Sequence, residues 1–216
     1  MKFAEGSKFI IVTPFLSFIV FFILFIFFTE EVIGSILLFL SLVTFLISIV
    51  FIIFFRDPER KIGEGVVACA DGRIQEIINL KDDDVKNCTR ISTFMNLYNV
   101  HVNRMPIDGT IKNIIHSSGL HLPAFRKESD KNERVTITID TKIGLIKIIQ
   151  IAGTLARRIY PYVKKGNKLK KGDRIGIIRF GSRVDIYLPK KSLKNIFVKK
   201  GEYVRAGEST IAKIND

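Results

Sequence analysis

The stretch R-F-G-S-R-V-D-I-Y-L-P (residues 179–189) decides how the rest of the chain is interpreted. Side chains of a β-strand alternate between two faces, so Val184 and Ile186 share one apolar face. Ser182 lies on that face, directly after Gly181, where another apolar side chain is expected. A glycine inside a strand often marks a β-bulge. The Gly-Ser pair therefore has either a structural explanation, such as a bulge, or a chemical one.

The chemical explanation is attack of the Ser182 hydroxyl on the carbonyl carbon of Gly181. Glycine suits the attacked position because it has no Cβ to shield the carbonyl and adopts strained dihedral angles. The amide would shift to an ester, β-elimination would break the chain, and the serine remnant would become a pyruvoyl group at the new N-terminus. These two residues by themselves leave the bulge and the self-cleavage both open.

Two long uncharged apolar runs precede the rest of the chain, at residues 9–28 and 32–55. At 1.5 Å per residue, about 20 helical residues cross the ~30 Å hydrocarbon core of a bilayer. The sequence therefore predicts a two-helix transmembrane hairpin as a membrane anchor over residues 1–55. A signal peptide and a buried helical hairpin in a soluble protein are the alternatives.

The charges around this hairpin predict its orientation. Lys2 and Lys8 precede it, Arg56 and Lys61 follow it, and its tip is acidic. The positive-inside rule then places residues 56–216 on the cytoplasmic side of the cell membrane. Those residues carry 32 basic and 18 acidic side chains, a surplus that suits an anionic lipid surface or headgroup. The sequence has no recognition-helix, zinc-finger or aromatic RNA-binding motif, so we expect no nucleic-acid partner.

Beyond the hairpin, the sequence predicts a single, mainly β domain, with a short helix around residues 96–103. Short β-type runs punctuated by glycine occupy residues 66–68, 135–139, 143–151, 175–180, 184–188 and 196–198. The two cysteines, Cys69 and Cys88, should be reduced in a cytoplasmic domain. Without histidines at ligand spacing they predict no metal site.

Two internal repeats indicate a folded-over β architecture. D-G-R-I-Q-E-I from Asp71 recurs as D-G-T-I-K-N-I from Asp108, and G-N-K-L-K-K-G-D from Gly166 recurs as G-E-Y-V-R-A-G-E from Gly201. The glycines fit tight turns between strands. The second pattern is typical of lipoyl-like, barrel-sandwich domains. It therefore predicts that fold and an alternative function, a non-catalytic membrane-anchored adaptor, although no lysine lies in a hairpin tip that would carry a prosthetic group.

Six stretches, in order, resemble the phosphatidylserine decarboxylase family in its short membrane-anchored form. They are F-F-R-D-P-E-R (54–60), A-D-G-R-I (70–74), S-T-F-M-N-L-Y-N-V-H-V-N-R-M-P-I-D-G (92–109), K-N-E-R (131–134), Q-I-A-G-T-L-A-R-R-I (150–159) and I-R-F-G-S-R-V-D-I-Y-L-P (178–189). The resemblance covers most of residues 56–189, and the last stretch carries the Gly-Ser pair. In an archaeal setting the counterpart is archaetidylserine decarboxylase, whose substrate has the same headgroup and different lipid tails.

The resemblance implies a proenzyme that cuts itself between Gly181 and Ser182 into a β chain (1–181) and an α chain (182–216) that stay together without a covalent link. The pyruvoyl group made from Ser182 would form a Schiff base with the headgroup amine and act as an electron sink when carbon dioxide leaves. The expected product is the ethanolamine lipid. The expected partners are the anionic phospholipid and the membrane, and a two-chain domain on a bilayer is compatible with a homodimer.

Activation of Ser182 needs a base and a group that orients the base. The family pattern implies His101 as the base and Asp71 as the group that orients it. Ordinary turn chemistry is the alternative for Asp71, and a structural, half-buried histidine is the alternative for His101. Longer family members have H-x-x-H-M-P where this chain has Arg104 at the second histidine's place. The sequence therefore leaves open whether His101 serves self-cleavage, decarboxylation or both.

Three arginines, Arg134, Arg157 and Arg158, are candidates to bind the lipid phosphate, because a planar guanidinium fits a phosphate well. Adjacent arginines face different ways, so we expect at most one of the last two to meet the phosphate. A solvated basic face is the alternative. A serine hydrolase that uses Ser182 is a further alternative, but the chain lacks a G-x-S-x-G motif and a histidine after that serine.

Overall fold

The computed structural model describes residues 2–120, 122–124, 127–154, 158–179 and 182–215. The predicted site residues Gly181 and Arg157 therefore lie outside the described residues. The chain divides into two compact units, residues 1–58 and residues 59–216.

The first unit consists of two long apolar helices and a short antiparallel strand pair. Its elements are β1 (Lys2–Phe3), α1 (Lys8–Phe27), α2 (Glu31–Phe54) and β2 (Arg56–Asp57), with β1 paired to β2. Each helix begins and ends one residue earlier than the apolar run that predicted it. Both helices are long and apolar enough to cross a membrane.

Small residues on α2 let the two helices pack closely. Ser41 and Ser48 are buried and lie seven positions apart, so they share one face of α2. Their hydroxyls donate to carbonyl oxygens of their own helix, which satisfies these polar groups without a partner helix. The rings of Phe18 and Phe45 connect the helices, with 5.1 Å between centroids. Small residues and close aromatic contacts are the means by which helices associate in lipid.

The second unit is mainly β, which confirms the predicted fold class of a β domain preceded by two apolar helices. Its strands are β3 (Val66–Val67), β4 (Gly72–Asp82), β5 (Lys86–Met95), β6 (Val102–Arg104), β7 (Gly109–Ser117), β8 (Arg134–Thr141), β9 (Gly144–Ala152), β10 (Ile159–Pro161), β11 (Lys168–Leu169), β12 (Arg174–Ile178), β13 (Ser182–Pro189), β14 (Leu193–Ile196), β15 (Tyr203–Val204) and β16 (Thr210–Ile214).

Eight of these strands form one curled antiparallel sheet in the order β11-β7-β8-β9-β13-β5-β4-β15. Two three-stranded sheets complete the unit, β10-β12-β6 and β14-β16-β3. Strand β13 is an inner strand of the large sheet, paired with β5 along its whole length and with β9 along most of it. Ser182 and the rest of β13 therefore lie in the interior of the sheet.

Both faces of β13 are buried. Val184 and Ile186 join the main hydrophobic core, as the alternation of the sequence predicted. On the opposite face Arg183 and Asp185 are 5% and 1% exposed. The Arg183 guanidinium donates to Asp185 Oδ2 at 3.0 Å and also to Asp130, so the two buried charges are paired.

The internal repeats correspond to two equivalent turns. Asp71 Oδ1 accepts the backbone N–H of Ala206 at 2.7 Å, and Asp108 Oδ1 accepts that of Lys171 at 2.7 Å. In the same way β15 pairs with the start of β4, and β11 pairs with the start of β7. Each aspartate therefore closes the turn of a distant glycine-flanked segment. The glycines of those segments lie in turns as predicted, whereas Gly72 and Gly109 begin strands.

Glycine follows each of these aspartates because the neighbouring backbone comes too close for a side chain. A Cβ on Gly72 would lie 2.0 Å from the carbonyl oxygen of Phe94, and one on Gly109 would lie 2.6 Å from that of Asp140. A larger residue at either position would push two strands apart. The Asp-Gly pairs are thus part of how the sheet closes.

The prediction of a short helix around residues 96–103 is wrong. Asn96–Asn99 form a turn instead, closed by the hydrogen bond from Asn99 N–H to Asn96 O at 2.9 Å, and β6 follows. The Asn99 side chain accepts the N–H of Asn96 at 2.7 Å. Asparagine side chains stabilise turns in this way, and here that local bond prevails over helical propensity.

Candidate active site

Ser182 begins β13 and lies between the last residues of its two neighbours. It pairs with Met95, the end of β5, and with Ala152, the end of β9. Ser182 is fully buried, and its Oγ donates to Met95 Sδ at 3.3 Å. Because paired residues project to the same side of a sheet, the hydroxyl meets a thioether and a methyl group rather than water.

Asp71 lies at the same end of the sheet. Phe94 of β5 pairs with Arg183 on one side and with Arg73 on the other. Asp71 precedes Arg73 by two positions, while Ser182 precedes Arg183 by one. Two strand spacings separate β4 from β13, about 10 Å across the sheet. The register thus brings the aspartate and the serine of the predicted site to one edge.

His101 follows β5 after the Asn96–Asn99 turn and is fully buried. Its ring Nδ1 lies 2.9 Å from the carbonyl oxygen of Asn99. A carbonyl only accepts, so in the neutral ring this contact places the proton on Nδ1 and the lone pair on Nε2. The backbone therefore orients the imidazole in the tautomer that a general base at Nε2 requires.

The two carboxylate oxygens of Asp71 make different contacts. Oδ1 accepts the Ala206 amide, the turn contact that Asp108 also makes. Oδ2 pairs with the guanidinium of Arg60 at 2.8 Å, and Arg60 also contacts Glu208. Turn chemistry therefore accounts for Oδ1, whereas burial and the ion pair through Oδ2 distinguish Asp71 from the exposed Asp108.

A buried polar chain that the sequence interpretation missed runs from Met95 into the sheet. Asn103 Nδ2 lies 3.8 Å from Met95 Sδ, and Asn103 Oδ1 accepts Gln150 Nε2 at 2.7 Å. Asn103 and Gln150 are both fully buried. Gln150 lies on the face of β9 that also carries Ile148, so a polar residue in an apolar alternation was the signal that pointed to it.

Arg104, at the place of the second family histidine, has a role in the turns. Its Nη1 donates to the carbonyl oxygen of Gly172 at 3.1 Å. Its side chain also packs against Gly207, where a Cβ would come within 3.0 Å of Arg104 Cδ. The arginine thus contacts both glycine turns of the internal repeat.

Behind Ser182, on the outer face of the sheet, Arg183 contacts the 3₁₀ helix Lys127–Lys131. Its Nη1 donates to Ser129 Oγ at 2.9 Å, and its Nη2 contacts Asp130. Burial raises the pKa of the Asp185 carboxyl, and the charge of Arg183 opposes that rise. Side chains of the connection between β7 and β8 therefore hold Arg183, the residue that follows Ser182.

Arg158 lines a cavity of about 480 Å³ together with His116, Glu133 and Tyr160. It is exposed, and its hydrogen bond to Tyr160 raises the pKa of the guanidinium. The backbone carbonyl of Glu133 accepts the N–H of Ala152, the strand partner of Ser182, at 2.9 Å. Glu133, which lines this cavity, is therefore hydrogen-bonded to the strand partner of Ser182.

Arg134 starts β8 and pairs with Ile151, which itself pairs with Arg183. It therefore lies at the same end of the sheet as Ser182, two strands away, but on the face that carries Arg183. Of the three predicted phosphate-binding arginines, Arg134 and Arg158 both lie near this end. Arg157 falls outside the described residues.

Among the described residues we find neither a reactive thiol nor a metal site. Cys69 and Cys88 are buried free thiols, and burial raises the pKa of each, which disfavours the reactive thiolate. Among the described residues no three histidine, cysteine or acidic side chains are grouped so that they could hold a metal ion.

The family model described as phosphatidylserine decarboxylase matches residues 47–212. The chain belongs to the phosphatidylserine decarboxylase family. Membership makes it a carboxy-lyase, which confirms the prediction of a decarboxylase over the non-catalytic adaptor. The match includes Asp71, His101 and Ser182, so the sheet end described above lies within the family's own segment.

Similar proteins from several organisms carry decarboxylase names. The phosphatidylserine decarboxylase proenzyme of Streptomyces avermitilis is 52% identical over 159 residues, covering 73% of this chain and 71% of that protein. The putative archaetidylserine decarboxylase proenzyme of Halobacterium salinarum is 45% identical over 162 residues, 74% and 79% of the two chains. That of Methanosarcina mazei is 44% identical over 173 residues, 79% and 78%.

Proposed function

We propose that this protein decarboxylates a serine-headgroup phospholipid, phosphatidylserine or archaetidylserine, to the ethanolamine lipid. The reactive group would be a pyruvoyl made from Ser182 by autocatalytic cleavage after Gly181. The observation that carries the proposal is the complete burial of the Ser182 hydroxyl in the middle of the sheet of a decarboxylase-family chain. A hydroxyl that must attack an external substrate has to be reached, whereas one that attacks its own chain does not.

The surroundings of Ser182 fit a pyruvoyl group. Met95 and Ala152 flank it, and Val184 follows on the same face, so the neighbourhood is apolar and dry. When present, the group supplies an electron sink for the electron pair left by departing carbon dioxide. An environment that excludes water favours loss of the charged carboxylate.

Self-cleavage begins when Ser182 Oγ attacks the carbonyl carbon of Gly181, and we assign His101 Nε2 as the base that takes the hydroxyl proton. The peptide nitrogen receives a proton as the C–N bond breaks, which leaves an ester. Removal of the α-hydrogen of residue 182 then expels the Gly181 carboxylate. Water adds to the dehydroalanine terminus and ammonia departs, which completes the balance and leaves the ketone.

Asp71 is assigned to stabilise the protonated His101. Both residues are buried at one end of the sheet, and a carboxylate near an imidazolium lowers the cost of its charge. The carbonyl of Asn99 already holds Nδ1, so the aspartate contributes through its charge. Arg60 pairs with the same carboxylate, so the histidine receives only part of its electrostatic stabilisation.

Arg158 is proposed to bind the lipid phosphate, with Arg134 as a second cation at the same end of the sheet. The cavity beside Arg158 is open enough for a headgroup, and its wall touches the strand partner of Ser182. A guanidinium offers two parallel donors to phosphate oxygens.

The anchor is assigned to residues 1–55 and the decarboxylase domain to residues 56–216 on the cytoplasmic side of the cell membrane. The support is the two apolar helices and the basic residues that flank them. After cleavage the β chain (1–181) and the α chain (182–216) would stay together through the sheet. A homodimer is a further prediction for the membrane-bound protein.

The test is the intact mass of the purified full-length protein in detergent. We expect a 35-residue fragment that begins at position 182 and resists N-terminal sequencing, and that takes up an amine irreversibly when borohydride is added. Ser182→Ala should give a single uncut chain without decarboxylase activity. Ser92→Ala removes another buried hydroxyl, on the adjacent strand, and should still be cut. An uncut parent protein that is folded would contradict the proposal.

A further inference from the structure

Four large apolar or aromatic side chains protrude into solvent at the end of the sheet where Ser182 lies. They form what we call the rim: Leu97, Tyr98, Leu120 and Tyr203, which are between 44% and 65% exposed. Exposed apolar residues scattered over a surface are ordinary, but a group of them on one end of a domain marks an interaction surface.

Strand register places two sides of the rim around Ser182. Leu97 and Tyr98 lie in the turn that follows Met95, the strand partner of Ser182. Tyr203 of β15 pairs with Arg73 at the start of β4 and lies three strands from Ser182 on that side.

Leu120 lies on the other side of Ser182. Its carbonyl accepts the N–H of Glu133, whose own carbonyl accepts that of Ala152. Because Ala152 is the second strand partner of Ser182, the rim flanks the serine from both directions.

Hydrogen bonds hold the aromatic part of the rim in its protruding position. Asn96 Nδ2 donates to the Tyr98 hydroxyl at 2.8 Å, and Asn99 Nδ2 donates to the Tyr203 hydroxyl at 3.0 Å. Their rings stay exposed while their hydroxyls are partnered. Tyrosines with an apolar ring and a bonded polar end are the side chains that favour the headgroup level of a bilayer.

Basic residues surround the aromatic side of the rim. Arg73, Lys199, Lys200 and Arg205 are all exposed near Tyr203, and the Arg73 guanidinium donates to the Gly201 carbonyl at 2.9 Å. The acidic residues among them are Glu202 and Glu208, of which Glu208 pairs with Arg205. A surplus of cations beside apolar side chains complements an anionic lipid surface.

We propose that the rim docks the decarboxylase domain onto an anionic bilayer surface, so that the Ser182 end of the sheet faces the headgroups. The proposal rests on the proposed function in taking a membrane lipid as the substrate. Docking by the rim shortens the path of a headgroup to Ser182, since the lipid then need not leave the bilayer entirely.

The chain itself offers a control. Phe197 is 53% exposed and apolar, but it lines a cavity with Asp108, Lys142 and Lys171, and Asp108 and Lys142 lie at the opposite end of the sheet from Ser182. If exposed apolar residues with nearby lysines were enough for docking, Phe197 would bind lipid as well as the rim does.

The chain has no tryptophan, so one substitution creates a unique fluorescent reporter. Full-length Leu97→Trp, Leu120→Trp and Phe197→Trp proteins are reconstituted into vesicles of anionic phosphatidylglycerol and phosphatidylcholine, with or without brominated acyl chains. We expect quenching at least about threefold stronger for the two rim reporters than for the control. Replacing phosphatidylglycerol by phosphatidylcholine should reduce rim quenching, because the cations then lose their partner.

Equal quenching of the Phe197 and rim reporters, whether strong or weak, would overturn the docking proposal. The same reporters in a Ser182→Ala background keep this test separate from the chemistry. Rim quenching in a parent that is never cut would contradict the proposed function alone. Normal decarboxylation without rim quenching would contradict the docking alone.

Discussion

Ser182 and Met95 face each other on adjacent antiparallel strands, with 3.3 Å between the hydroxyl oxygen and the thioether sulfur. A thioether is a weak acceptor, so it orients the hydroxyl without binding its proton strongly. A buried serine hydroxyl held by a carbonyl or carboxylate would be harder to reorient. The contact therefore leaves Ser182 free to give its proton to a stronger base.

Met95→Leu should preserve the fold, because the exchange conserves volume and typically costs less than about 1.5 kcal/mol. It removes the sulfur that orients the Ser182 hydroxyl, so we expect self-cleavage to slow by a few-fold, in line with a contact worth roughly 1 kcal/mol. Appearance of the fragment on a denaturing gel over time measures the rate. An unchanged rate would show that the sulfur has no orienting role.

His101→Gln should slow self-cleavage by about 10²- to 10⁴-fold, the usual contribution of a positioned base. His116→Gln is the control, because His116 is exposed and pairs with Glu133 outside the buried site. The same gel assay compares the two variants. Cleavage of the His101 variant at the parental rate would assign the histidine to another step or to structure.

Asn103 and Gln150 should be coupled in their effect on stability. Asn103→Leu or Gln150→Leu leaves a buried amide without its partner, at a cost of about 1–3 kcal/mol each. The double variant should cost less than the sum, since neither amide is then left behind. Unfolding midpoints in detergent measure all four proteins, and strictly additive shifts would contradict the coupling.

Arg183→Met should destabilise the protein by about 3–5 kcal/mol, because it removes the ion-pair partner of the buried Asp185. Burial raises the pKa of Asp185, and loss of Arg183 raises it further. The folded state then holds this proton more tightly than the unfolded state, so stability falls as pH rises. The penalty should grow as the pH rises above the ordinary pKa of an aspartate, so it should be larger at pH 8 than at pH 4.

The control for this variant is Asp130→Asn, which removes the other partner of Arg183. The Asp130 side chain is 56% exposed, so its loss should cost no more than about 1 kcal/mol and add little pH dependence. Thermal unfolding at both pH values compares the variants. A pH-independent penalty for Arg183→Met would mean that Asp185 takes up no proton.

Arg158→Ala should raise KM for the lipid by about tenfold, equivalent to roughly 1.4 kcal/mol of lost phosphate binding, with kcat nearly unchanged. Arg158→Lys keeps the charge but loses the paired donors and should recover only part of the loss. Lys112→Ala removes an exposed cation from β7 and serves as the control. A fall in kcat at constant KM would place Arg158 in the reaction rather than in binding.

The parts of the fold that depend on local pattern were predictable. The alternation around Val184 and Ile186 gave the inward face of β13, and the Asp-Gly repeats at Asp71 and Asp108 gave two equivalent turns. The longest hairpin, β4 with β5, was missed. Its strands carry polar residues on one face and are joined by an acidic turn, so the apolar alternation is weak.

The contacts of the site depend on long-range register, which a local pattern does not contain. Ser182 and Met95 are 87 positions apart, and Gln150 and Asn103 are 47 apart. Only the assembled sheet shows that these side chains meet. The roles of Gly181 and Arg157 stay predictions, since both lie outside the described residues.

The inner position of β13 determines how firmly a fragment produced by the proposed cleavage would be held. If the chain is cut before Ser182 as proposed, the 35 residues that follow supply a strand paired on both sides, while β15 and β16 pair with strands from the other piece. The fragment is woven in at three places, so it leaves only if the whole domain comes apart. Two molecules therefore cannot exchange this fragment unless their domains unfold. If the proposed pyruvoyl group were chemically damaged, a fresh fragment could not replace it, and the entire molecule would have to be made again.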